Sequence, residues 1–127
     1  MLTVITQGLV GLVALVQIVI TIAEIFLWKK AYKRLEPKIV FNQITEVENV
    51  APIIKNVGLY NSFLAVGLIW GLVAQTNNLV IQSFFLSCVF VAGIFGFITL
   101  EKRTVLILQA VPSLLALIAI WSINRSV

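Results

Sequence analysis

Four long apolar blocks dominate this sequence and limit the folds that it can adopt. They cover residues 2–28, 57–75, 79–100 and 105–123. Each block is close to the ~20 residues that cross a bilayer as an α-helix. Membrane β-strands need only about 10 residues and alternate polar with apolar side chains, a pattern that these blocks lack. The blocks predict an all-α fold, in which residues 1–127 form one integral membrane domain.

The predicted architecture is a bundle of four transmembrane helices. We expect these helices at about residues 3–29, 50–75, 79–100 and 104–123. Composition agrees with this interpretation, because 61% of the residues are hydrophobic and 11% are charged, whereas a soluble domain is about 25% charged.

Cysteine and histidine usage excludes several kinds of site. Cys88 is the one cysteine and there is no histidine. No intrachain disulfide can form, so the redox compartment is not constrained. A zinc site, a haem site or a Cys-His nucleophile would need residues that the chain does not supply. We therefore expect no metal and no cofactor.

Charge distribution predicts the orientation. If the four helices alternate in direction, the segment 28–56 and the turn 101–103 lie on one side of the membrane and hold eight of the nine cations. By the positive-inside rule that side is cytoplasmic. The prediction is an N-out/C-out topology with a long cytoplasmic loop between helices 1 and 2. We expect the first helix to be retained, because a secretory signal carries its positive charges before the apolar core.

The same charges bear on the expected partners. A net charge of +4 serves topology and attracts anionic membrane lipid. The basic residues carry no interleaved aromatic side chains of the kind that stack on bases, so we expect no nucleic acid partner.

The connection between helices 1 and 2 contains two local signals. The run at residues 39–44 is too short to span the membrane and predicts a brief strand or an interfacial segment. Asn49 followed by Pro52 resembles a helix start. Helix 2 is therefore expected to begin near residue 50 and to enter the membrane near Val57.

The first helix carries a polar stripe. Gln17, Thr21, Glu24 and Trp28 are spaced by four, three and four residues, which places them on one helix face. A carboxylate directed at lipid tails costs about 2.5–3.5 kcal/mol on insertion scales, so this face should meet the other helices or a wet cavity. Glu24 has two interpretations that stay open. It joins helices or reaches Lys29 at the interface, or it exchanges a proton or a bound cation.

Polar residues of the other helices are expected at the same membrane depth as Glu24. Counting inward from the cytoplasmic boundary at ~1.5 Å per residue predicts one layer of polar side chains, a turn or two below that surface. The predicted ligand-binding residues are Glu24, Tyr60, Asn61 and Gln109, with Gln17, Asn56 and Trp28 beside them. The competing explanation is that these residues lie at one depth by chance and serve only to join the helices. For Trp28, anchoring at the membrane interface is the ordinary role.

A GxxxG motif at Gly67 and Gly71 lets a neighbouring backbone approach closely. Packing against another helix of the same chain is favoured over a homodimer, which stays an alternative.

Short strings in all four helices carry a family resemblance. They are Ala23–Trp28, Asn56–Leu68, Ala92–Gly96 and Gln109–Ser113. At these residues the chain resembles the Domain of Unknown Function 1304 family of small bacterial membrane proteins. The resemblance implies four spanning helices in the bacterial cytoplasmic membrane and brings no established biochemistry. It also implies a histidine in many members where this chain has Gln17, so acid–base chemistry by a His-Glu pair is not expected here.

Three functional hypotheses follow. The leading one is non-enzymatic binding or transport of a small amphiphilic or cationic ligand at the intramembrane polar site near the cytoplasmic side. A cation there would displace a proton from Glu24, with Tyr60 and the amides completing its coordination. The second is a structural or partner-binding membrane subunit. The third is a lipid-modifying enzyme with Glu24 and Tyr60 as acid and base, which needs two groups that titrate far apart.

Overall fold

The computed structural model describes residues 1–30 and 44–126, which form four long helices. These helices are α1 (Leu2–Phe26), α2 (Ile44–Val73), α3 (Asn78–Leu100) and α4 (Arg103–Ser126). Each contains a stretch long and apolar enough to cross a membrane, and in α2 this stretch is Val50–Val73. The predictions of an all-helical fold and of four candidate membrane spans are confirmed.

The helices pack in chain order around a closed ring. Helix α1 lies along α2, α2 packs on α3, α3 packs on α4, and α4 returns to α1. We call the end that holds the C-terminus of α1 and the turn between α3 and α4 the basic end. The opposite end, which holds Met1, Ser126 and the turn between α2 and α3, is the terminal end.

Both short turns use a residue with left-handed backbone. Asn77 precedes α3 with φ 56°, and Glu101 ends α3 with φ 53°. Asparagine adopts this conformation more readily than most residues. The backbone N–H of Glu101 donates to the carbonyl of Phe97, which satisfies one of the carbonyls left free at a helix end. These turns make α2, α3 and α4 consecutive antiparallel neighbours.

Helix α2 begins earlier than the sequence predicts. It starts at Ile44 and continues through Asn49 and Pro52, so the expected cap at Asn49 is wrong. Proline removes one backbone hydrogen bond from a helix interior, and the helix continues through it to Val73. The expected strand or interfacial segment at 39–44 lies mostly outside the described residues.

The packed core lies in the terminal-end half of the bundle. All four helices contribute side chains that are almost completely buried and contact one another. They are Val10, Val13, Ala14, Leu68, Leu86, Val89, Ala116 and Ile120.

A polar network reinforces the terminal end. The buried Gln82 amide donates to the carbonyl of Gly71 at 2.8 Å and to Gln7 Oε1 at 3.0 Å. The carbonyl of Gly71 lies in the last turn of α2, where no intrahelical N–H reaches it. Gln82 therefore joins α1, α2 and α3 while it satisfies a helix end.

The GxxxG motif is used within the chain. A Cβ on Gly67 would collide with the ring of Phe85, and a Cβ on Gly71 would lie 2.7 Å from Gln82 Cγ. Both glycines therefore let α3 approach α2 in the same bundle.

Candidate functional site

A hydrogen-bonded pair of polar side chains joins α1 to α2. Asn61 Nδ2 donates to Glu24 Oε2 at 2.7 Å, and both side chains are half-buried. Glu24 continues the interior stripe of α1, and Asn61 lies one turn before the buried Ala65 on α2. A hydrogen bond to a carboxylate is roughly twice as strong as one between neutral groups. The structure therefore brings together two of the predicted ligand-binding residues.

Gly58 explains why the two helices approach so closely at this level. A Cβ at this position would lie 2.9 Å from Glu24 Cβ and 2.8 Å from Ile25 Cγ1. Real Cβ atoms do not tolerate such separations, so only glycine fits without movement of α1. Asn61 follows Gly58 by three residues and thus lies on the same face.

From Glu24 toward the terminal end, α1 carries two polar side chains that form no hydrogen bond. Gln17 is completely buried, and neither atom of its amide forms a hydrogen bond. The hydroxyl of Thr21, midway between Gln17 and Glu24, is also buried and unpartnered. Leaving a buried donor or acceptor unsatisfied costs about 1–3 kcal/mol. Among the described residues these are the buried side-chain polar atoms that lack a partner, so the polar stripe is the least satisfied part of the interior.

Gln109 lies on a π-helical segment, Leu106–Ala110, near the basic end of α4. Pro112 accounts for the irregularity, because its ring would clash with the carbonyl four residues earlier in a regular α-helix. The Ser113 hydroxyl donates to the carbonyls of Gln109 and Ala110, at 2.6 and 3.0 Å. Such π segments occur often at functional sites.

The environment of Gln109 is the contact between α3 and α4. Its side chain is 9% exposed, and a Cβ on Gly93 would lie 2.9 Å from Gln109 Cβ. The π-helical segment packs mainly on α3 and also reaches α1. Gln109 is thus buried near the interior stripe of α1, but the structure does not join it to Glu24 by a hydrogen bond.

Of the remaining predicted residues, two are exposed and one is half-buried. Tyr60 is 63% exposed and packs beside Phe63, with the ring centroids 6.2 Å apart. Asn56 is also exposed. Trp28 is half-buried, and Lys29 Nζ lies 5.6 Å from its ring centroid, an arrangement that suits a membrane interface. None of these three side chains forms a hydrogen bond with Glu24, whose partner is Asn61.

Burial decreases sharply toward the basic end. Between the basic end and a level marked by one residue on each helix, the structure describes only one buried residue in the four spans, Gly58. The residues that mark this level are Gln17, Ala65, Gly93 and Gln109. Besides Thr21, Glu24 and Asn61, the interior-facing side chains there include apolar ones that are only half-buried, namely Ile20, Ile54, Phe97 and Leu106. In this region α4 packs on α3, with less contact to α1. The α1–α2 and α3–α4 hairpins are therefore less tightly packed against each other at the basic end.

This arrangement suits hydrogen bonding to a small polar group better than coordination of an ion. Glu24 and Asn61 supply a carboxylate and an amide, while Tyr60 is directed away from them. Within the described residues, no group of three or more histidine, cysteine, aspartate or glutamate side chains could hold a metal.

Four membrane-crossing helices with a polar pair between two of them define a multi-pass, helix-bundle membrane protein. The model of the family described as Protein of unknown function (DUF1304) matches residues 11–121. The chain belongs to this family, which confirms the resemblance inferred from the sequence. No curated protein and no solved structure matches the chain.

Two contributors to the site were not among the predicted ligand-binding residues. Thr21 could have been included from its spacing on the stripe of Gln17 and Glu24. Gly58 could not be singled out from sequence, because the sequence holds seven glycines and only the helix approach distinguishes this one.

Proposed function

We propose that this protein binds the polar head of a membrane amphiphile at the pair formed by Glu24 and Asn61. The observation that carries the proposal is the 2.7 Å hydrogen bond between these side chains, in the half of the bundle where few residues are fully buried. A hydroxyl group of the ligand donates to the carboxylate of Glu24. Its acyl chain leaves between the two hairpins and stays in the bilayer.

The unpartnered groups on α1 support this proposal. The amide of Gln17 and the hydroxyl of Thr21 extend the polar stripe away from Glu24 into the bundle. They provide further hydrogen-bonding capacity when the hairpins separate to admit a head group. A purely structural polar layer would be expected to satisfy its own donors and acceptors.

Orientation is part of the same proposal. Cations concentrate on the cytoplasmic side of membrane proteins. The basic end of the bundle therefore faces the cytoplasm, and the terminal end faces the outside. The protein then resides in the bacterial cytoplasmic membrane and takes its ligand from the cytoplasmic leaflet.

The test compares two uncharged amphiphiles with the same acyl chain, a monoacylglycerol and a fatty-acid methyl ester. Native mass spectrometry from detergent micelles resolves protein with and without bound lipid. We expect the monoacylglycerol to bind about tenfold more tightly, since a hydrogen bond to a charged group contributes about 1.5–3 kcal/mol and tenfold is about 1.4 kcal/mol. Glu24→Gln should remove most of this preference.

Tyr60→Phe is the matched control, because it deletes a hydroxyl at the same depth on the outward face of α2. It should keep the preference. Equal binding of the two amphiphiles by the unmodified protein would contradict the proposal. If Glu24→Gln also lowered the unfolding temperature while neither amphiphile bound, the polar pair would serve helix packing alone.

A further inference from the structure

We infer that the ligand is an anionic single-chain lipid with a hydroxyl next to its acidic head, such as a lysophosphatidate. This inference rests on the proposed function and specifies its ligand. It follows from the charges around the basic end, which are independent of the Glu24–Asn61 pair.

Exposed cations surround the basic end on several elements. Lys29 and Lys30 follow α1, Lys55 lies on α2, and Arg103 begins α4; all four are exposed. Lys102 adds a half-buried cation at the turn between α3 and α4. These residues come from both hairpins, so they flank the boundary between them.

Few carboxylates offset this charge. Among the residues whose side chains are described at this end, Glu24 and Glu101 are the acidic ones. Residues 31–49 contribute three cations and three carboxylates, so their own charges balance. The basic end therefore carries a net positive charge that favours an anion and disfavours a cation.

The distance between the cations and the polar pair is comparable to the size of a lipid head group. Lys55 lies six residues before Asn61 on α2, which is about 9 Å along the helix axis. A long lysine side chain can bend back toward the pair by several ångströms. A phosphate held by the cations thus leaves room for a neighbouring glycerol hydroxyl to reach Glu24.

Half-buried apolar side chains in the same half of the bundle fit the rest of the ligand. Ile20, Ile54, Phe97 and Leu106 are half-buried within the bundle, where the first methylene groups of an acyl chain would cover them. A single chain can leave between the hairpins with less separation than two chains need. The charge, the hydroxyl and the chain number together define the lipid class.

The experiment compares three lipids that share one acyl chain: a lysophosphatidate, a lysophosphatidylcholine and the monoacylglycerol. Native mass spectrometry of the protein gives their relative affinities. We expect the lysophosphatidate to bind most tightly and the monoacylglycerol least tightly. Lys29→Gln and Lys55→Gln should each weaken lysophosphatidate binding about fivefold, since a cation near anionic lipid contributes about 1 kcal/mol.

Arg125→Gln is the control, because Arg125 lies at the terminal end, 4.0 Å from the Trp121 ring centroid. It should leave the order and the affinities unchanged. Monoacylglycerol binding as tight as lysophosphatidate binding would overturn the inference while leaving the Glu24–Asn61 site intact. The inference would also be overturned if both lysine variants kept the full preference for lysophosphatidate. Absence of binding by all three lipids would remove the proposed function itself.

Discussion

Gly93→Ala is expected to lower the free energy of unfolding by about 1–3 kcal/mol, the usual range for overpacking a close contact. The new Cβ would lie 2.7 Å from the backbone nitrogen of Ala110 and 2.9 Å from Gln109 Cβ. A backbone atom cannot rotate away, so α3 and α4 must separate. Gly93→Leu should have a larger effect, because its additional atoms extend into the same contact. Circular dichroism during titration with sodium dodecyl sulfate measures both.

Gly8 provides the control for these substitutions, because a Cβ there would have no neighbour within 4 Å. Alanine is the better helix former by about 0.5–1 kcal/mol. Gly8→Ala should therefore leave stability unchanged or raise it, and Gly8→Leu should be tolerated. If Gly93→Ala were as stable as Gly8→Ala, the close approach of α3 and α4 at this position would be incorrect.

Gly58→Leu is expected to lower both stability and lipid affinity. Its Cβ would lie 2.8 Å from Ile25 Cγ1 and 2.9 Å from Glu24 Cβ, so the end of α1 must move away from α2. Movement at this level lengthens the hydrogen bond between Asn61 and Glu24. We expect at least tenfold weaker monoacylglycerol binding together with a fall in unfolding free energy of about 1–3 kcal/mol.

Gly11→Leu tests whether these losses are specific to the contact with α2. Gly11 lies on α1 as well, and a Cβ there would meet nothing within 4 Å. It should change neither quantity appreciably. Normal affinity in Gly58→Leu would show that the separation of α1 from α2 does not control the binding site.

The sequence predicted the four spans because hydrocarbon imposes a strong and simple requirement. A chain must satisfy its backbone hydrogen bonds within each crossing segment, so an apolar block of the right length becomes a helix. The start of α2 was less predictable, since Asn49 and Pro52 resemble a helix start but lie inside a helix that begins at Ile44. Asparagine and proline favour a helix start but do not by themselves end the helix that precedes them.

The candidate site was only partly predictable, because depth and direction are separate properties. Counting residues placed Glu24, Tyr60 and Asn61 at similar heights, but Tyr60 and Asn61 are adjacent in sequence and project about 100° apart on a helix. The structure directs Asn61 to Glu24 and leaves Tyr60 exposed. Periodicity from buried neighbours such as Ala65 could have separated the two residues.

The missing partners of Gln17 were beyond sequence reasoning altogether. The stripe on α1 predicted that Gln17 faces the bundle, and the structure buries it completely. Whether its amide finds a donor or acceptor depends on which side chains of the other helices reach its level. That information arises only from packing of segments far apart in the chain.

The most direct test of a lipid site between the hairpins is thiol labelling of Ile54→Cys in a Cys88→Ala background, because Ile54 is half-buried near the basic end and lies outside the polar pair. A charged, membrane-impermeant maleimide is added to the cytoplasmic face of membrane vesicles, with and without saturating lysophosphatidate. We expect labelling from that face, slowed at least tenfold by the lipid, while Tyr60→Cys on the outward face of α2 shows no protection. Failure of Ile54→Cys to react, or equal labelling with and without lipid, would contradict a lipid-binding site between the hairpins.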